Sequence, residues 1–304
     1  MIALHADWSM HPAKRYYSLA RRVDAKWWLV NPALVGQPAA LLASLLAEGP
    51  AVAMGLDLPL GLPRDYAAHC PQADFPAFLR DSTARPDFFR VNEGLETISH
   101  ARPFYPARGV KGMTRLSHAQ ALGMATAAGL SRQCDRATPW RPAGAPLFWT
   151  LGANQSGKAA ISAWRDWLGP ALAAGAPIAL WPFEGDLHAL LRPGRAVLAE
   201  VYPAEALRQL GLKMPGSKRV AADRQALAPA LLECLDRLGA MPEPALRDSI
   251  IAGFGQDAAG EDRLDCVLGL LCMLQVLDGR RADHIPADPW IRRWEGWVLG
   301  QAGV

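Results

Sequence analysis

Cysteine is scarce and unpatterned in this chain: five residues, Cys70, Cys134, Cys234, Cys266 and Cys272, in 304. The number is odd and no Cys-x-x-Cys pair occurs, which argues against a zinc ribbon and a disulfide framework; reduced thiols in a cytoplasmic setting are expected. No run of about 18 uncharged apolar residues is present, so no membrane span and no membrane partner are expected. The opening MIALHADWSM lacks the basic stretch and long apolar core of a signal peptide. The sequence has no HExxH zinc-protease motif, no Gly-x-Ser-x-Gly nucleophile elbow and no Gly-x-Gly-x-x-Gly after a strand. It also lacks an excess of one charge. Thirty-two Lys and Arg against 29 Asp and Glu leave a net charge of +3, too weak an electrostatic footprint to indicate nucleic-acid binding by itself. Basic residues gather locally at Lys14 and Arg15, at Arg21 and Arg22, and over 213–224, which reads as solvated surface.

What is present suits a packed core: 51% apolar residues, 20% charged residues and 11 Trp, enough for one large domain or two modest ones. IALHAD (2–7), YYSLA (16–20) and WWLV (27–30) follow at short spacing, the signature of an antiparallel meander. PAALLASLLAE (38–48) has helical spacing and good helix formers. AVAMGLDLPLG (51–61) is a continuous apolar run, as in a strand buried on both faces. The order is β-β-β-α-β. Regularity is lost from 62 to about 145, in stretches such as RPDFFR and ARPFYPARG, so an insertion or lid of short helices and loops is expected over about 64–145. Then come a helix over 158–168 broken at Gly169 and Pro170, strands at 177–183 and 196–203, two helices over 204–252, an apolar helix over 261–278, and a short helix carrying Trp290, Trp294 and Trp297 at packing intervals. One α/β domain spanning 1–304 is the simplest account.

The acids stand in unusual places. Asp7 ends IALHA, Asp57 ends AVAMGL, and Glu200 follows AVLA, each closing a strand that reads as buried; strand ends are where sites form in α/β sheets. Asp265 lies inside LDCVLGLLCMLQVL, and a buried ionised carboxylate costs several kcal/mol, order of magnitude, unless paired or metal-bound. Asp262, three residues earlier, shares its helical face. Carboxylates brought together repel one another, and a hard divalent cation relieves that repulsion. An oxygen-only set selects Mg²⁺ or Mn²⁺, and a pair of such ions about 4 Å apart activates water for phosphoryl displacement. Structural roles stay open beside this one: a first-turn acid for Asp262, capping for Asp7 and Asp57, and a buried Arg partner for Glu200.

Together these features resemble the RNase H-like fold, with acids on the first and fourth strands and on a closing helix. Asp7-Trp8-Ser9 with Lys14 and Arg15, then GLDLPLGLP (55–63), AEVYPAE (199–205) and EDRLDCVLG (261–269), resemble family 429 of the domains of unknown function, a family of predicted RNase H-like nucleases. These motifs frame residues 4–270, nearly the whole chain. The resemblance implies a metal-dependent nuclease or phosphodiesterase acting on nucleic acid, with Asp7, Asp57, Asp262 and Asp265 as ligands of Mg²⁺ or Mn²⁺. Glu200 matches the family's Glu before Val-Tyr-Pro and becomes a further ligand or the group orienting the attacking water. Lys14 and Lys158 are candidates for substrate phosphate.

Other readings are weaker. Residues 152–158 match the spacing of a phosphate-binding P-loop, but Ala159 stands where the metal-binding Ser or Thr belongs. An actin-like phosphotransferase needs a duplicated domain that the sequence does not show. A non-catalytic binding protein that keeps the fold is the remaining alternative. Of the seven His residues, His5 shares a strand face with Asp7 and reads as a core residue.

Overall fold

A computed structural model describes residues 1–109, 111–152 and 156–303. Its first sixty residues follow the apolar runs closely. β1 (Ile2–Asp7), β2 (Tyr16–Val23) and β3 (Lys26–Leu29) form the meander, and the short β4 (Ala33–Leu34) also pairs with β2. Helix α1 (Pro38–Ala47) begins with Pro at its first position, where the missing N–H costs nothing. β5 (Val52–Leu56) is buried along its entire length, as expected of a strand covered on both faces. β6 (Ile178–Leu180) and β7 (Ala196–Glu200) continue the sheet.

Among the described residues, eight strands make one mixed sheet in the order β6-β7-β5-β1-β2-β3-β8, where β8 is Ala240–Pro242. β1 runs parallel to β5, β5 to β7 and β6 to β7, while β2 is antiparallel to both β1 and β3. The side-chain parity of the central strands divides the core. Ile2, Leu4, Ala6, Val52, Met54, Leu56, Ala196 and Leu198 face α1 and the segment 62–172. Ala3, Ala53, Val197, Ala199 and Val201 face α3 (Pro203–Leu210), α4 (Ala221–Leu238), α5 (Pro244–Ile251) and α6 (Gly260–Leu277).

The described residues of 62–145 form short α and 3-10 turns and isolated β-bridges, with Arg64–Ala67, Phe75–Asp81 and Arg115–Ala121 as the α-helical ones. Phe75, Phe78, Phe88, Phe104 and Phe148 are almost fully buried and share one core with β1 and β5. This stretch thus forms part of the layer over one sheet face. The chain departs from the sequence reading in three places. Gly169 and Pro170 do not end the helix: α2 (Ser156–Ala163) passes through a π turn at Trp164–Leu168 into Gly169–Ala173, because Pro is tolerated at a first-turn position. Residues 204–252 hold three helices rather than two, with β8 between α4 and α5. Near the C-terminus the helical segment covers 289–295, with a π turn at Ile291–Glu295, and stops short of Trp297; Trp294 and Trp297 are nonetheless buried. No helix among the described residues is long and apolar enough to cross a membrane.

α6 is buried on nearly every side, which explains why its sequence is apolar all round rather than along one stripe. It packs on β1 and β2, and the closest approach is at glycine. A Cβ on Gly269 would lie 2.4 Å from the His5 ring, and one on Gly55 of β5 would lie 2.9 Å from it. Burial pushes the His5 imidazole down to about 4, so it is neutral, and its Nε2 lies 3.2 Å from the Val201 carbonyl. Gly269→Ala should therefore overpack the sheet–helix contact. The expected loss is about 1–3 kcal/mol in urea unfolding, with an unchanged midpoint as the result that would refute this packing account.

Candidate metal centre

The parallel pairing of β1 and β5 sets Ala6 opposite Leu56, and the ladder continues with the Asp57 N–H donating to the Ala6 carbonyl at 3.0 Å. Asp7 and Asp57 therefore stand side by side where the two strands end. They share the parity of Ala3 and His5, the face covered by α6. From that helix, Asp262 and Asp265 approach the same point; both lie in its first two turns, and residues at i and i+3 share a face. Asp7 lies near enough to both Asp57 and Asp262 for each to shift the other.

All four acids are shifted upward, and burial is the largest cause in each case. Asp7 rises well above the usual carboxylate range, with Asp57, Asp265 and Asp262 adding repulsion. Asp57 is raised to about 7 by burial and by Asp265. Asp265 is raised to about 6 against the opposing pull of Lys218. Asp262 is raised by burial and by Glu261. The donors are all oxygen, the chemistry that suits Mg²⁺ or Mn²⁺, and the deficit of positive charge is what such an ion would supply. The aspartates are not drawn fully together. Among the described residues, the His, Cys, Asp and Glu ligand atoms that lie within 4.8 Å of one another in a group of three are those of Cys134, Asp135 and Glu200.

That compact group already has its cation. Arg132 is fully buried and donates through Nε and Nη2 to Asp135 at 2.9 and 3.0 Å, and through Nη1 and Nη2 to the two Glu200 oxygens at 2.6 Å each. Glu200 Oε2 also accepts from the Leu60 N–H at 2.7 Å. Glu200, expected from the sequence to be a metal ligand or to orient water, stands apart from the four aspartates and has both carboxylate oxygens engaged by Arg132. Register pairs Glu200 with Leu56, so it points to the face opposite Asp57, where Arg132 from the 62–145 stretch meets it. The buried-Arg alternative is the arrangement found.

The aspartates open onto a cleft of about 630 Å³, lined by Asp57 and Asp265 together with Lys158, Lys218, Arg219, Arg208 and Arg141. Asp135, Glu205 and Glu261 line it too, and Arg141 and Arg208 pair with Glu205 while Arg219 pairs with Glu261, so the lining carries both signs of charge. The loop leaving β1 is braced. Trp8 stacks on Trp167 at 5.3 Å, its Nε1 donates to Ser162, and the Arg15 guanidinium lies 4.4 Å over its ring while donating to the Ser9 and Met10 carbonyls.

Of the two lysines expected at phosphate, Lys158 on α2 lines this cleft, whereas Lys14 sits on an exposed 3-10 turn and acts on Asp262 through its charge. Part of the P-loop-like segment, residues 153–155, lies outside the described residues. Gly157 serves packing: a Cβ there would stand 2.2 Å from the Leu147 carbonyl oxygen. Lys218 was not singled out by sequence. It lies in the basic stretch 213–224, and its Nζ donates to both Asp265 oxygens at 2.7 and 2.6 Å; nothing local distinguishes it from a surface lysine.

No family model, no curated protein and no solved structure matches the chain.

Two outcomes follow from these electrostatics. Removing Arg132 as Arg132→Met leaves buried carboxylates without a counter-ion and should cost about 3–5 kcal/mol in chemical denaturation. The aspartates give a pH signature of their own. A carboxyl whose folded pKa is raised binds its proton more tightly in the folded state, so its contribution is complete below the ordinary value near 3.8 and is lost as pH rises through about 6 and 7 for Asp265 and Asp57. In chelator, the melting temperature should fall between pH 5 and pH 8, and Asp57→Asn should flatten that fall. A profile that rises over this window would contradict the assignment.

Proposed function

We propose that this chain is a divalent-metal-dependent phosphodiesterase acting on nucleic acid, built on an RNase H-like core and related to family 429 of the domains of unknown function. The observation that carries the reading is the convergence of four mutually repelling aspartates, from two strand ends and one helix, beside a cleft that Asp57 and Asp265 line together with Lys158 and Lys218. Topology supports it. The run β3-β2-β1-β5-β7, with β2 antiparallel to its neighbours, is the strand arrangement expected of that core, with the acids at the ends of its first and fourth strands.

In this reading Asp7, Asp57, Asp262 and Asp265 hold one or two Mg²⁺ or Mn²⁺ ions. Bound there, such an ion lowers the pKa of a water and stabilises charge on a phosphoryl group. The chain's own residues do the rest. Asp57, raised in pKa by its burial, gives up its proton as the ion loads. Lys158 draws the phosphate backbone into the cleft. Arg132 and Glu200 hold the 62–145 stretch against β7 so that the cleft wall keeps its place.

Calorimetric titration with Mn²⁺ is the direct test. The wild type should bind, and Asp265→Asn should bind at least about tenfold more weakly, as loss of a group at a metal centre does. Mn²⁺-dependent cleavage in a screen of single-stranded and duplex DNA and RNA should be abolished by Asp57→Asn. Absence of Mn²⁺ binding to the wild type would refute the proposal.

A further inference from the structure

Two cation–carboxylate pairs lie within this part of the fold, and they are built differently. Arg132 is sealed: its planar fork serves Asp135 and Glu200 together, and none of it reaches solvent. Lys218 is a single ammonium on a four-carbon stem, its side chain 22% exposed in the wall of the cleft. An ammonium is a compact, strongly hydrated point charge that leaves a carboxylate more readily than a bidentate guanidinium does.

The backbone beneath Lys218 is fixed while its side chain has somewhere to go. Its carbonyl accepts from Arg224 Nη1 at 2.6 Å, and Arg224, itself buried, also donates to the carbonyls of Gly253 and Gly255 at 2.7 and 2.6 Å. The preceding Ser217 N–H donates to Asp223 at 2.7 Å. The turn is thus tied to the first residues of α4, and a Cβ on Gly260 would strike the Arg224 guanidinium at 2.2 Å, so the same arginine also seats the start of α6. Beyond the ammonium lies the cleft, shared with Arg219, Arg208, Arg141 and Lys158.

We infer that Lys218 is an exchangeable counter-ion: its ammonium holds Asp265 while no divalent ion is bound, is displaced into the cleft when one binds, and there receives the phosphate of the substrate. The inference rests on the metal reading above. Two cations cannot share one carboxylate without repulsion, so loading Asp265 with a divalent ion frees the lysine, and a freed ammonium in the cleft that Lys158 also lines gives an anion a charged donor there. Metal loading and phosphate binding are thereby coupled through one side chain, with no movement of the backbone required.

The experiment compares wild type, Lys218→Met and Lys218→Arg by titration with Mn²⁺ alone, then with inorganic phosphate on the Mn²⁺-saturated proteins. Lys218→Met should bind Mn²⁺ on the order of tenfold more tightly, equivalent to about 1.4 kcal/mol, and bind phosphate more weakly by a similar factor; Lys218→Arg should bind Mn²⁺ less tightly than Lys218→Met. Thermal unfolding keeps the test open if Lys218→Met is unstable: it should melt earlier than wild type in chelator and gain more from Mn²⁺. Equal or weaker Mn²⁺ affinity in Lys218→Met, with wild-type binding still dependent on Asp265, overturns the exchange and leaves the metal reading standing; so does phosphate affinity that ignores the substitution. No Mn²⁺ binding to either protein overturns both, and Lys218 is then a permanent structural partner of Asp265.

Discussion

Mutual repulsion among buried carboxyl groups is the constraint around which this structure is arranged. Asp7, Asp57, Asp262 and Asp265 are held near one another by a parallel strand pair and by a helix that cannot move away, because α6 is buried almost all round and pressed on β1 through Gly269 and His5. The protein offsets part of that repulsion with Lys218, which pairs with Asp265. One ammonium does not balance four carboxyl groups, and a divalent cation would supply the remaining positive charge.

A second group of buried charges lies on the other side of the sheet and is resolved differently. Glu200 and Asp135 share Arg132, with the Tyr202 hydroxyl accepting from the same guanidinium at 3.1 Å. This network joins the 62–145 stretch to β7 and the C-terminal segment, where Arg132 also donates to the Glu295 carbonyl. One set of acids is neutralised permanently and serves architecture. The other is neutralised provisionally and faces a cleft.

Legibility in the sequence followed the strength of local signals. β1, α1, β5 and α6 were readable because each is a long apolar run with a clear period or clear stops, and the acids that interrupt those runs were conspicuous for the same reason. β8 was not readable: Ala240–Pro242 is three residues long, contains a proline, and exists because β3 offers it an edge. The helix through Gly169 and Pro170 was missed because a π turn absorbs the proline, a solution set by packing of Trp164 and Trp167 rather than by propensity. Lys218 was invisible because a lysine on a turn looks the same whether it meets water or an aspartate.

The sequence by itself marked the acids set in apolar runs, Asp7, Asp57, Glu200 and Asp265, but not Asp135 and Glu295, which only tertiary packing buries. It determined the α/β order and the strand ends where Asp7 and Asp57 stand. Only the tertiary structure decided which acids meet. Side chains alternate along a strand, so one residue of register separates Asp57 from Glu200: opposite Leu56, Glu200 turns to Arg132, and one place further on it would have faced the aspartates. Register is set by pairing between distant segments, and no local pattern in either strand contains it.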